Sequence, residues 1–317
     1  MITALALTFL AAAPAQVDYS VYAGQPLATE QITLQAWGSG LGEESTERSS
    51  AGQHSIKVTT SGYFQGVVLN LGRKPDLKAF APNKENLLVF SVFPIEVQAG
   101  AASGGTGGGG GLGAGGGLAS GGGGGGGGGV SAGGGSSTGG AAATTTRPAK
   151  QMENLRVILW TTDGKATELF LPLTSAGKAA GRWVRVGIPV ASIPRFGQTN
   201  MVVDRIAVSG DARTIFYLGE VRVVTDSTPI QGFLDRTEMN LARGDEVLLT
   251  ASAEGGYSVL EYAWDFDASN GVQDDATGAG VYHRFRIPGE YVVTCTIRDK
   301  YGLKAPWSGT IKVTVNP

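Results

Sequence analysis

Val259-Leu-Glu-Tyr-Ala-Trp-Asp-Phe266 alternates strictly, with Leu260, Tyr262, Trp264 and Phe266 on one face and smaller or charged residues on the other. A period of two with aromatic residues on the apolar side predicts a half-buried β-strand. The same period runs through Glu246–Ser252, Tyr291–Ile297 and Ile311–Val315. Short strands at this spacing over about 90 residues predict a β-sandwich. Cys295, the one cysteine of the chain, falls on the apolar side of Tyr291–Ile297 with Val293 and Ile297. It has no partner for an internal disulfide and reads as a small buried thiol.

Within this segment Tyr262-Ala-Trp-Asp-Phe-Asp267, Tyr282-His-Arg-Phe285, Pro288-Gly-Glu-Tyr-Val-Val-Thr294 and Arg298-Asp-Lys-Tyr-Gly302 follow one another in order. Together they resemble the PKD domain. The resemblance implies an immunoglobulin-like sandwich over 227–317, of the kind found as a spacer or adhesion module, and no catalysis. Pro288-Gly289 reads as a turn into a strand, and Asp299 as a cap on the turn before Tyr301-Gly302. The sequence departs from the family at Asp267-Ala-Ser-Asn-Gly271, where Asn-Gly keeps the turn chemistry. Asp265, Asp267, Asp274 and Asp275 are the candidate ligands for calcium, a hard cation suited to loop carboxylates. Their spacing is not that of an EF-hand. No other cofactor is expected.

Working outward, the rest of the chain is also strand-like. Gln31–Trp37, His54–Thr60, Gly66–Leu71, Asn86–Phe93, Asn154–Trp160, Thr167–Leu173, Trp183–Pro189, Met201–Ser209 and Ile215–Val224 are rich in β-branched and aromatic residues, and almost no segment has helical periodicity. Nine such segments predict a second two-sheet sandwich over 16–226. Ala51–Val58, Tyr63–Gly66, Gly181–Pro189, Asp204–Gly210 and Ile215–Val224 resemble, in order, the galactose-binding-like jelly rolls of carbohydrate-binding modules. Where that family places Asp on the closing strand, this chain has Gly219-Glu220. The fold class expected is therefore all-β: a jelly roll followed by a PKD sandwich.

The chain has 317 residues, 51 of them glycine. Twenty-six of these fall in the 41 residues from Gly100 to Gly140, so the excess is one tract on a background near the usual ~7 per cent. Collagen is excluded because no Gly-X-Y period exists. No Lys-Ser/Thr follows the glycines, which excludes a phosphate-binding loop. The tract lies between segments 86–93 and 154–160, and neither half alone has strands enough to close a sandwich. It reads as a disordered insertion, 97–152, in a strand-to-strand connection rather than a linker between domains. Loop-closure entropy grows only logarithmically, so such an insertion costs the fold little.

Lys plus Arg total 25 and Asp plus Glu 27, a formal charge of −2. This balance argues against nucleic acid as a partner. Residues 1–15 form an apolar run ending in small residues, with Ala13 and Ala15 placed as in a signal-peptidase site. Export to the periplasm, cell surface or medium is expected, with no other membrane-spanning segment. No metal-ligand cluster is visible with two histidines and one cysteine. The adjacent pairs Glu43-Glu44 and Asp274-Asp275 alternate faces or lie on loops and are poor candidates for the two carboxylates glycoside hydrolysis requires, so no catalytic residue is assigned.

Sugar binding needs an exposed aromatic face ringed by hydrogen-bonding groups. The candidates are Tyr63, Phe64, Trp160 and Tyr217, with Gln65, Arg156 and Asp163 as polar partners. On 155–160, Leu155, Val157 and Leu159 face one way and Arg156, Ile158 and Trp160 the other, so an apolar core on the first side leaves Trp160 outside beside Arg156. Tyr63 and Phe64 split across two faces, which exposes one of them. Trp183 is assigned to the core. Two functions from different classes remain: recognition of a polysaccharide, cell-surface glycan or extracellular matrix, or structural assembly through contacts with other envelope proteins.

Overall fold

A computed structural model describes residues 18–96, 150–173, 180–271 and 273–317. Residues 1–15, expected to be an export signal, and nearly all of the glycine insertion lie outside the described residues. Strands dominate the described chain, as expected.

The first eleven strands are β1 (Asp18–Tyr22), β2 (Ile32–Trp37), β3 (Leu41–Ser45), β4 (Ser55–Thr60), β5 (Gly66–Leu71), β6 (Asn86–Pro94), β7 (Asn154–Thr161), β8 (Ala166–Pro172), β9 (Val184–Pro189), β10 (Val203–Gly210) and β11 (Thr214–Thr225). They form two sheets, β3-β4-β11-β6-β9 with β1 added beside β11, and β2-β5-β10-β7-β8. All their pairings are antiparallel. Alternate residues from both sheets meet in one core, with Leu88, Phe90 and Val92 of β6 in the same cluster as Leu155, Val157 and Leu159 of β7. The strands on either side of the glycine tract thus belong to one sandwich, one in each sheet. The nine expected segments are all strands. The two that sequence reading passes over are β1, a short sheet-margin strand that buries only its last two residues, Val21 and Tyr22, and β3, a polar Leu-Gly-Glu-Glu-Ser edge; neither shows alternation.

The entry into β7 is held by Asp211. Its carboxylate accepts the Glu153 amide at 2.9 Å, the Asn154 amide at 3.1 Å and the Lys150 ammonium at 2.8 Å. Burial opposes its charge, but these donors outweigh burial and hold the carboxyl below its ordinary range.

The remaining strands are β12 (Gln231–Leu234), β13 (Glu238–Ala242), β14 (Glu246–Glu254), β15 (Leu260–Asp265), β16 (Ala276–Thr277), β17 (Gly280–Arg284), β18 (Gly289–Asp299) and β19 (Trp307–Asn316). They make a three-stranded sheet, β12-β14-β17, against a five-stranded one, β13-β19-β18-β15-β16. Leu260, Tyr262, Trp264, Val293, Cys295 and Ile297 share its core, while Phe266 is only partly buried and stacks on His283 at 3.8 Å. Cys295 is fully buried, and burial pushes its thiol up to about 12. Asp299 caps its turn by accepting the Tyr301 amide at 3.0 Å.

The two sandwiches meet at one face of the six-stranded sheet. Tyr257 packs on Leu87, Val89 and Val224, and its carbonyl accepts the Gly187 amide at 2.8 Å. This explains why Leu87-Leu-Val-Phe-Ser-Val-Phe93 reads as a continuous apolar run: every residue of β6 is buried, one set in the core and part of the other under the second sandwich. Asp226 sits at the crossing. Its carboxylate accepts the Tyr257 amide at 2.7 Å, the Thr228 amide at 3.0 Å and the Lys304 ammonium at 2.8 Å.

Candidate functional site

With Leu155, Val157 and Leu159 in the core, Arg156, Ile158 and Trp160 face outward on the β2-β5-β10-β7-β8 sheet. Register places their neighbours. Trp37, Gly66, Ser209, Arg156 and Phe170 form one row across all five strands. Asn70, Arg205, Trp160 and Ala166 form another, four residues further along β7, or about 13 Å. Small or aliphatic Val68, Ala207 and Ile158 lie between them.

The turn 61–65 folds over the first row. The Tyr63 carbonyl accepts from Arg156 Nη1 at 2.6 Å and from Ser209 Oγ at 2.7 Å. Gly66 follows the turn at a point where a Cβ would overlap the Val208 carbonyl oxygen, so only glycine fits. Phe64 is 71 % exposed, and its ring lies 4.7 Å from the Arg156 guanidinium, which also sits 5.0 Å from the Trp37 ring. Both distances are in cation–π range. Tyr63 meets Phe170 edge-on at 5.3 Å, and Phe170 is 48 % exposed. Burial first, and then the charge of Asp211, raise the Tyr63 phenol, which therefore stays a neutral hydrogen-bonding group at physiological pH. In the second row Arg205 lies 5.1 Å from the Trp160 ring. Beside Trp160 a groove of about 540 Å³ runs along the β8 edge, lined by Ile158, Trp160, Glu168, Phe170, Pro194 and Arg195. Glu168 is tied to the buried Arg156 by an ion pair.

Of the residues singled out in the sequence, the fold gathers Tyr63, Phe64, Arg156 and Trp160 on this face. Gln65 adjoins it, but its side chain accepts from Ser39 at 2.8 Å. Asp163 is in the β7–β8 turn, where it accepts from Thr161 Oγ1 at 2.5 Å and the Asn200 amide at 3.2 Å. The Thr161 hydrogen bond, with Lys165, keeps its carboxyl low. Tyr217 is elsewhere. It is 2 % exposed on β11 of the other sheet and donates to Glu47. Trp183 is not a core residue: it is partly exposed on the outer side of that same sheet, edge-on to Phe93 at 5.6 Å. It precedes β9, whose inward positions are Val184, Val186 and Ile188, so the strand's phase turns the indole outward.

Trp37, Glu168, Phe170, Arg195 and Arg205 are additional. Trp37 and Phe170 were readable from phase, since Ile32 and Leu34 on β2, and Leu169 and Leu171 on β8, mark the inward positions. Arg195 sits in a short turn with no periodic signal.

The four candidate calcium carboxylates in 265–275 do not converge. Asp265 accepts the amides of Asp267 at 2.8 Å and Gln273 at 2.9 Å, Asp267 that of Ser269 at 3.1 Å, and Asp275 that of Phe266 at 2.9 Å. Asp274 pairs with Arg298 at 3.0 Å. These carboxylates organise their own loop, and among the described residues no group of three or more His, Cys, Asp or Glu is placed to hold a metal ion. Nor is any described helix long and apolar enough to cross a membrane.

The architecture is that of an all-β protein of two sandwiches, and residues 229–315 match the PKD domain family model, the family the motifs between Tyr262 and Gly302 resemble. No curated protein matches the chain. Among solved structures, the chain is similar to the CBM22-1–GH10 modules of Clostridium thermocellum endo-1,4-β-D-xylanase 10B complexed with xylohexaose. The identity is 10 % and the TM-score 0.32, over 71 % of this chain and 33 % of that one. The fibronectin(III)-like modules of C. thermocellum CbhA give 8 %, 0.24, 52 % and 78 % in the same order. A Clostridium perfringens ZmpB structure, an M60 catalytic domain with two CBM51 domains, gives 10 %, 0.23, 90 % and 23 %. The chain spans about a third of the length of the first of these. Likeness of this degree carries neither ligand nor activity across.

Proposed function

We propose that the protein is an exported, non-catalytic binding protein that recognises carbohydrate with the outer face of the β2-β5-β10-β7-β8 sheet. The observation that carries the reading is the aromatic set Trp37, Tyr63, Phe64, Trp160 and Phe170, brought from separate segments to one face, with Arg156 and Arg205 among the rings. Planar rings suit the C–H-rich faces of pyranoses, and the neighbouring polar groups suit hydroxyls. The opposite sheet is partly covered by Tyr257 and its surroundings, whereas on this face Phe64 and Phe170 are exposed. We place the domain boundary at Asp226, with the segment from 227 as spacer or adhesion module. Glycoside hydrolysis needs two facing carboxylates; Glu168 is the one acid lining the groove among the described residues, and it is held by Arg156.

Affinity electrophoresis in gels containing polysaccharides tests this. Wild type is expected to be retarded by at least one polymer, and Trp160→Ala to lose about 1–3 kcal/mol of binding, by analogy with the cost of removing one aromatic stacking partner. Unchanged retardation of Trp160→Ala removes the platform. A second reading, structural assembly with other proteins, is favoured by Phe233, Leu248 and Tyr282, exposed on the β12-β14-β17 sheet. Light scattering separates the two, since a strict monomer that binds glycans leaves the assembly reading without support.

A further inference from the structure

We infer that the groove beside Trp160 is built for an acidic sugar, with Arg195 holding its carboxylate. The inference rests on the carbohydrate reading above and narrows it. Glu168 is neutralised by Arg156, and Asp163 by Lys165 at 3.3 Å. Asp204 is shared between Lys74 and Arg205. Among the residues lining the groove, Glu168 and Arg195 are charged, and Glu168 is already paired with Arg156. The lining charge left unpaired is therefore that of Arg195, on a chain whose formal charge is −2. Arg195 lines the groove and has no acidic partner among the described residues.

Its backbone decides which substitution tests the inference. Arg195 has φ 57 and ψ 6, the left-handed region that favours glycine or asparagine. The conformation is fixed from both sides. Thr167 Oγ1 donates to the Pro194 carbonyl, the Gln198 amide bonds the Arg195 carbonyl at 3.0 Å, and the next residue, Phe196, is fully buried. Glycine would adopt this conformation without strain. Arg195 is exposed and lines the groove, and the planar fork of donors of an arginine matches a carboxylate. Trp160 and Phe170 supply the ring faces on the same groove.

The test uses the full chain on a panel of immobilised uronate polymers (polygalacturonate, glucuronoxylan, alginate and hyaluronate), each paired with its carboxyl-reduced, neutral form. Wild type is expected to bind an acidic form at least about tenfold more tightly than its reduced partner at low salt. Arg195→Gly, which suits the backbone and so should not unfold the chain, and Arg195→Gln should both lose that preference while keeping the weaker binding to the neutral form. Trp160→Ala should lose both. Equal binding of acidic and neutral forms, or a preference that survives Arg195→Gly, overturns the inference. Neutral binding that Trp160→Ala abolishes leaves the carbohydrate reading intact, whereas wild type binding no polymer in either form overturns both.

Discussion

Asp226→Ala is expected to cost about 3–5 kcal/mol of folding stability, the range for removing one partner of a buried ion pair. Asp226 and Lys304 are almost wholly buried, their side chains 2 % and 6 % exposed. Without the carboxylate the Lys304 ammonium keeps only the Gly255 carbonyl, at 2.6 Å, and the Tyr257 and Thr228 amides lose their acceptor. Asp226→Leu combined with Lys304→Met should recover much of the loss, because no unpaired charge then remains. The pH dependence follows from the carboxyl. Burial alone would raise it, but the Lys304 hydrogen bond and the two amides outweigh burial and leave it below the ordinary range. The stability it supplies is present above the unfolded carboxyl value of about 4 and is lost as pH falls through the lower folded value. Urea unfolding at neutral pH and in acid should therefore show wild type and Asp226→Ala converging in acid. A constant gap across that range would contradict this role.

Trp264→Ala is expected to cost a similar amount, about 3–5 kcal/mol. Trp264 is fully buried at the centre of the second core, against residues of both sheets. Its indole Nε1 donates to the Gly278 carbonyl at 2.9 Å, which ties β15 to the turn after β16. Trp264→Phe separates the two contributions: most of the apolar area returns, but the Gly278 carbonyl loses its donor, a penalty of about 1–3 kcal/mol. Thermal unfolding of the two variants reads the difference. If Trp264→Phe proves as harmful as Trp264→Ala, volume is not what the site demands.

The sandwiches were legible wherever strands alternate. Leu260, Tyr262 and Trp264, and likewise Leu155, Val157 and Leu159, fall on the core side as their period requires. The position of the glycine tract inside one sandwich was also readable, because strands on both sides were needed to bury a common core. Phase failed for Tyr217. Its strand is apolar on both sides, since its outer face packs Phe93 and Trp183 and reaches the second sandwich at Val224. An aromatic there signals packing as readily as binding. Bulges at Leu218/Glu220 and Val203/Arg205 shift the period within β11 and β10. The face itself was half visible: Trp160 and Arg156 follow from one strand, but Trp37, Phe170 and Arg205 join them only through register between strands far apart in sequence. Arg195 owes its place to a left-handed turn that no pattern announces.

The chain's five tryptophans provide the most direct test of the central claim, because each reports a different place. Trp37 and Trp160 lie on the outer face of the β2-β5-β10-β7-β8 sheet, Trp183 on the outer side of the opposite sheet, and Trp264 and Trp307 in the second sandwich. Indole N–H resonances, assigned by substitution, should be followed by ¹H–¹⁵N NMR during titration with oligosaccharides from a polymer that retards the protein. The account predicts that Trp160 shifts most and Trp37 with it, while Trp183, Trp264 and Trp307 hold still. Shifts confined to Trp183, or to the second sandwich, would contradict it.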